Sequence, residues 1–378
     1  MTAGGGDVAD VVIVGAGAVG LALAFELARR DVETVVVERA GPGDRTSSSL
    51  GAAAGLVNPQ AHPGVEPEAV RELSLFSRRL YADWVDALEG ESGLSCDYDV
   101  RGGLTVARSE AEEVLLDRAL DWQRQRGLPF EVLSAEEARG REPSLGAGVR
   151  AAFAFPEDGQ IAPPKLARAL ALAARNAGAR LLSWTPATAV IVEGGRVSGV
   201  RAGATSIHAG VVVNAAGAWA AHLAGVPPAP IAPVKAQLVA LDASGDPDRL
   251  RRFAFAPGLL LVPRRDGTLV IGSPLEHAGF DARPTAAAVA SLLAGAAALV
   301  PALAAYPVLD LWAGLHPSSP DGVPILGETA VPGYWLAAGH GRNGTLLAPG
   351  SAALLADLLT AQRSAISPTP FSPARFAI

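Results

Sequence analysis

At 378 residues the chain is too long for one ordinary core, and 49% hydrophobic against 18% charged residues describes a well-buried globular protein, not a disordered one. A net charge of −7 without any dense basic run argues against nucleic acid as a partner. The single cysteine, Cys96, excludes an intrachain disulfide framework and a multi-cysteine metal site, and six scattered histidines without H-x-x-x-H spacing argue against zinc.

The first element in chain order is also the most informative. Residues 11–14 are four apolar β-formers and read as a short buried strand, followed by Gly15-Ala16-Gly17-Ala18-Val19-Gly20 and a helix over 18–30. A G-x-G-x-x-G turn between strand and helix suits a pyrophosphate: it gives a tight turn, a close backbone approach and close helix–strand packing. Free N–H groups and the helix dipole at that turn favour an anion. A second strand, Thr34–Val37, ends at Glu38, where an acidic residue is expected to bind adenosine ribose hydroxyls. Residues 39–56 read as an irregular Gly/Ser/Thr-rich segment whose small residues let backbone approach a flat ligand, or as a solvated loop.

Amphipathic spacing predicts a helix over 66–88, with Leu73, Phe76, Leu80, Trp84 and Leu88 on one face. A strand over 104–107, a helix over 110–125 and a Pro-opened helix over 163–177 follow. Short strands fill 180–214, the last running into Asn214-Ala-Ala-Gly-Ala-Trp219. Residues 231–241, 259–263, 268–272 and 308–314 read as longer strands of a mixed sheet. Shorter strands at 324–326 and 334–338 precede a glycine-rich turn and an apolar helix over 346–360; Gly341, Asn343 and Gly344 there form a nest of N–H donors. Residues 11–25 are too short to span a bilayer and lack the cationic start of a signal peptide. Residues 286–309 are uncharged and long enough to span, but they are alanine-dominated and broken by Pro301 and Pro307. They read as a helix packed on a sheet, then a strand. A soluble, cytoplasmic protein with no membrane partner is expected, its oligomeric state left open, a homo-oligomer included.

The fingerprint, the Val211–Trp219 run, Pro233-Val-Lys-Ala-Gln237, Gly272-Ser-Pro-Leu-Glu276, Trp312-Ala-Gly-Leu-His-Pro317, Asp321-Gly-Val-Pro324 and Gly339-His-Gly-Arg-Asn-Gly344 occur in that order. Together they resemble the D-amino-acid oxidase and sarcosine oxidase superfamily of flavoproteins, and most closely its glycine oxidase branch, over nearly the whole chain. The resemblance implies FAD and an α/β fold: a Rossmann-like FAD-binding domain (1–90, 145–225 and 318–378) interleaved with a mixed-sheet α+β substrate domain (91–144 and 226–317). It implies Gly15–Gly20 at the pyrophosphate, Glu38 at the ribose and Arg39 beside adenine. Arg45, Thr46, Ser47, Ser48, Gly55 and Leu56 are implied along the phosphates and the flavin ring. Ala187, Ala215, Ala216, Gly217 and Trp219 are implied around the adenosine, with Gly314, Leu315, Gly339, Gly341, Arg342, Asn343, Gly344 and Thr345 near the flavin. Relatives that attach flavin covalently use a later cysteine, so FAD is expected to be non-covalent here.

Departures from the pattern fall at the substrate. Glycine oxidases carry Gly-Leu-Arg-Pro, a bidentate clamp for a carboxylate; here that arginine is His316. They also carry a tyrosine in the strand before Val-Pro-Arg, where this chain has Leu259 and Leu260, so residues Leu259, Leu260 and Leu261 are expected to form an apolar wall. Arg342 is retained. His316 is expected either to pair with an anion when protonated, and hence with pH dependence, or to be a neutral core histidine. Three readings stand. One is oxidation of a C–N bond of an amine or amino acid other than glycine, with hydride passing to flavin N5, imine hydrolysis, and O2 reoxidation to hydrogen peroxide. The second is an FAD-dependent dehydrogenase of a hydroxy acid or modified amine using another acceptor. The third is a redox-inactive FAD-binding protein.

Overall fold

The computed structural model describes residues 7–45, 48–61 and 66–378. Two eight-stranded sheets organise them. In the first, the order is Ile325–Glu328, Tyr334–Ala338, Thr205–Asn214, Asp7–Val14, Thr34–Val37, Arg180–Leu182. Asp7–Val14 is parallel to both Thr205–Asn214 and Thr34–Val37. The hairpin of Ala187–Glu193 and Arg196–Ala202 joins this sheet antiparallel to Thr205–Asn214. Strands buried on both faces explain the unbroken valine runs at 11–14 and 34–37. One face is covered by Ala18–Ala28, Glu68–Ser92, Pro163–Asn176 and Gly344–Leu359, which share one core with Val11, Ile13 and Val36.

The second sheet runs Val308–Ser318, Ala232–Asp242, Thr268–Glu276, Leu259–Pro263, Phe253–Ala256, Gly103–Ala107, Ala151–Phe155, Glu131–Ser134. It is mixed: Phe253–Ala256 lies parallel to Gly103–Ala107, and the other pairs are antiparallel. The alanine-rich segment forms the helix Ala286–Leu299, which buries Leu292, Ala296 and Leu299 against this sheet. No helix among the described residues is long and apolar enough to cross a membrane.

Several elements depart from the sequence expectation. Ala151–Phe155 pairs with Gly103–Ala107 in the second sheet, so the return to the first unit falls after this strand and not at 145. That strand, Glu131–Ser134 and Phe253–Ala256 escape periodicity, being short and either wholly buried or an edge with one buried residue. The helix expected over 110–125 breaks at Leu120, which is fully buried, into Glu110–Ala119 and Asp121–Arg126. The irregular segment 39–56 contains one helical turn, Ser49–Ala52, capped by the Ser48 hydroxyl. Thr268–Glu276 and Val308–Ser318 extend beyond their expected ends because Ala232–Asp242 lies between them and pairs with both.

The first turn is set by two backbone constraints. Gly15 has φ +110°, a conformation costly for any side chain, and a Cβ on Gly20 would stand 2.1 Å from the Gly15 carbonyl oxygen. Gly20→Ala is therefore expected to lower the stability of the flavin-free protein by about 1–3 kcal/mol, read by urea unfolding, with a parallel loss of flavin retention.

Candidate active site

Two adjoining cavities share Ser49, Ala53, His316, Arg342 and Thr345. The first, of about 350 Å3, runs along the first sheet from the Gly15–Val19 turn to Gly341. Gly17, Ala18 and Val19 open the helix Ala18–Ala28, whose N-terminal N–H groups face this cleft. A Cβ on Gly17 would have nothing within 4 Å, so the open side of the turn is the cleft itself. Glu38 is nearly buried at the end of its strand: Oε2 accepts from the Ala16 N–H at 2.8 Å and Oε1 from the Ala40 N–H at 3.0 Å. These bonds fix the carboxylate at the cleft wall. The Arg39 guanidinium lies 3.5 Å from the centroid of the Trp219 ring, and Trp219 in turn stacks on Phe280 at 5.6 Å. The Asn214 side chain accepts from the Ala216 N–H at 3.1 Å and donates to the Ala220 carbonyl and Tyr334 hydroxyl, shaping the Ala215–Gly217 turn. Ser48, Ala187, Ala215, Ala216, Gly217, Gly341, Gly344 and Thr345 complete this wall.

Some expected residues sit elsewhere. Ala16 is buried, its N–H held by Glu38, and Gly20 packs under Gly15. Gly339 packs against Ile231 and Ser319. Arg45 pairs with Asp310 and covers the Trp312 ring at 4.5 Å, so it joins the loop to the second sheet and does not line the cleft. Thr46 and Ser47 lie outside the described residues.

The second cavity, of about 430 Å3, lies between the Ser49–Ala52 turn and the second sheet. Gly55, Leu56, Asn343, Gly314 and Leu315 line it, together with an apolar wall of Leu238, Phe255 and Leu260. Leu261 does not, and Leu259, though it touches the cavity, turns its side chain the same way: both lie on the far side of the sheet, in the core that holds Leu292 and Leu299, so of the three expected leucines only Leu260 forms the wall. The turn is fastened to the sheet by Ser49 Oγ, which donates to the Leu315 carbonyl at 2.5 Å, and by Trp312 Nε1, which donates to the Ala52 carbonyl at 3.0 Å. Arg264 donates to the carbonyls of Ile161 and Ala54, and its burial lowers its pKa to about 10.

Arg342 carries the only permanent charge among the described residues lining this cavity. Its Nε and Nη2 donate to Glu66 Oε1 at 3.0 and 2.6 Å, and Asn343 Nδ2 donates to the same oxygen at 3.2 Å. Burial, then the Arg342 charge, push the His316 pKa down to about 4. Both effects favour the neutral imidazole, the second of the two alternatives that the sequence left open for His316. Phe255, Leu238 and Glu66 escaped sequence reading. The first lies in an unrecognised strand, and Glu66 is indistinguishable in sequence from an acidic residue near a helix start.

A glycine-floored cleft along a parallel sheet, beside a pocket that offers one cation and an apolar wall, suits a dinucleotide next to a small organic anion. Similarity to known proteins identifies the class as the FAD-dependent oxidoreductases. The chain belongs to the DAO family, FAD dependent oxidoreductase, whose model matches residues 10–358. It is 37% identical over 372 residues to glycine oxidase from Pseudomonas aeruginosa, covering 96% of this chain and 98% of the relative. Its structure resembles the crystal structure of glycine oxidase from Geobacillus kaustophilus with a TM-score of 0.90 and 34% identity, covering 97% of this chain and 98% of that one. It also resembles L-proline dehydrogenase from P. horikoshii, with a TM-score of 0.87 and 26% identity over 98% of each chain. The fold is thus the mixed α/β fold of FAD-binding oxidoreductases, as the motifs implied, and FAD is its cofactor.

His316 also sets a pH dependence. With a folded pKa of about 4 against an ordinary 6.5, it takes up its proton first in the unfolded chain. Its contribution to stability is therefore complete above pH 6.5 and is lost as pH falls toward 4. His340, buried and likewise held at about 4, acts in the same direction. Urea unfolding of the flavin-free protein across this window should show a slope smaller by up to about one proton in His316→Gln than in the parent.

Proposed function

We propose that this FAD-dependent oxidoreductase oxidises the C–N bond of an amino acid with an apolar side chain, and that glycine itself is a poor substrate. What carries the reading is the second cavity: about 430 Å3, walled by Leu238, Phe255 and Leu260, with Arg342 where it meets the cofactor cleft. The substrate carboxylate pairs with Arg342, and the side chain lies on the leucines, where its burial excludes water. His316 is too weak a base to take the ammonium proton, so the proton leaves to solvent and the protein supplies alignment. The Ala18–Ala28 and Gly344–Leu359 helices direct N–H groups toward the cleft, where Glu38, Arg39 and the glycines would hold FAD without a covalent bond. FAD supplies the two-electron acceptor for the C–N oxidation. The product imine hydrolyses in water, and O2 is the proposed terminal acceptor. The similarity to a dehydrogenase keeps a second acceptor in view, and an oxygen electrode run beside a dye-reduction assay separates the two.

Anaerobic bleaching of the bound flavin across a panel of amino acids and amines tests the reading. Leucine should be oxidised with a kcat/KM at least ~10-fold above that for glycine, since each buried methylene is worth roughly 10-fold or more. Comparable values would overturn the substrate assignment. Restoring the bidentate fork with His316→Arg should raise kcat/KM for glycine by about 10-fold.

A further inference from the structure

We infer that Glu66 is a positioning and specificity-determining residue: it holds Arg342 by one edge of its guanidinium and cancels its charge, so that the cavity accepts a zwitterionic amino acid over a dianionic one. This rests on the reading that Arg342 receives the substrate carboxylate. The geometry is specific. Glu66 Oε1 takes both Nε and Nη2 of Arg342 and also the Asn343 amide. A guanidinium has two forked edges that fit a carboxylate. With the Nε–Nη2 edge occupied, the edge left for a ligand is Nη1–Nη2. Glu66 is not among the residues lining either cavity, whereas Arg342 lines both. The carboxylate therefore acts from behind the arginine and does not block it. Both side chains are largely shielded, with 27% and 20% of their surface exposed, so the pair is screened less than a surface ion pair.

The charge balance follows. Burial and the Arg342 charge favour a neutral His316, and Arg342 is the only permanent cation among the described residues that line the cavity. With Glu66 beside it, the site carries no net charge. A zwitterion adds none, whereas a dicarboxylate brings a second negative charge into an apolar space with no cation to meet it. Three donors converge on one oxygen, so Gln at position 66 can keep the position while removing the charge, and Ala removes both.

The experiment uses the flavin-loaded enzyme and calorimetric titration with 4-methylpentanoate, acetate and glutarate, beside steady-state kinetics with leucine. Glu66→Gln should bind 4-methylpentanoate about 3–10-fold more tightly and glutarate more tightly by a larger factor. Glu66→Ala should lose at least ~10-fold in kcat as Arg342 loses its fixed edge. A merely structural role would lower the thermal midpoint of both variants and leave the ratio of the glutarate to the 4-methylpentanoate dissociation constant unchanged; that result overturns the inference. Arg342→Ala is the control for the underlying reading. If it loses carboxylate binding while both Glu66 variants behave like the parent, the inference fails and the substrate reading stands. If it binds carboxylates as the parent does, both fall. Equal affinity for acetate and 4-methylpentanoate would remove the apolar wall and leave the Glu66 inference intact.

Discussion

The seating of a single helical turn, Ser49–Ala52, on the strand Val308–Ser318 decides where the cofactor cleft and the substrate cavity meet. A Cβ on Gly314 would stand 2.5 Å from the Cβ of Ala52, so only a glycine lets the turn approach this closely. Ser49 and Trp312 then bond across the contact, and Arg45 closes it from outside through Asp310. Because Ser49 and Ala53 border both cavities, a shift of this turn would alter the floor of each at once. The two sheets thus build one site and not two independent ones.

That dependence explains which parts of the molecule the residues announced. The strand–glycine–helix–strand–acid unit at the N-terminus was readable because each of its constraints is local: a positive φ at Gly15, a missing Cβ at Gly20, a carboxylate at the end of a strand. The order of later motifs identified the fold, and residues of several of them, Ala215, Gly217, Gly314, Gly341 and Gly344 among them, line the two cavities. Side-chain direction was harder to read. Leu259, Leu260 and Leu261 are three adjacent leucines in sequence, yet the pleat turns the first and third into the core under the helix Ala286–Leu299 and leaves Leu260 to the cavity wall. Arg45 looked like a phosphate ligand from its neighbours; its partners, Asp310 and Trp312, come from a distant strand. Glu66 could not be singled out at all, because its role exists only once Arg342 is brought to it.

Electrostatics explains why histidine can replace an arginine clamp without wrecking the site. A second guanidinium beside Arg342 would place two cations in a mostly apolar cavity, stable only when an anion lies between them. A neutral imidazole at 316 removes that demand, and burial and the Arg342 charge both lower its pKa. The ligand-free pocket is thereby less dependent on its substrate for charge compensation.

The lost fork must be offset if amino acids are still to bind. A charge-assisted hydrogen bond contributes roughly 1.5–3 kcal/mol. Burying a leucine-sized side chain contributes roughly 1.5–3 kcal/mol as well. The wall of Leu238, Phe255 and Leu260 can therefore replace the missing arginine for a substrate with an apolar side chain, but contributes nothing to glycine, which has no side chain to bury. Under the proposed function, the substitutions that weaken the grip on the smallest amino acid strengthen it on larger ones, and substrate choice shifts from a contest of charges to one of buried area.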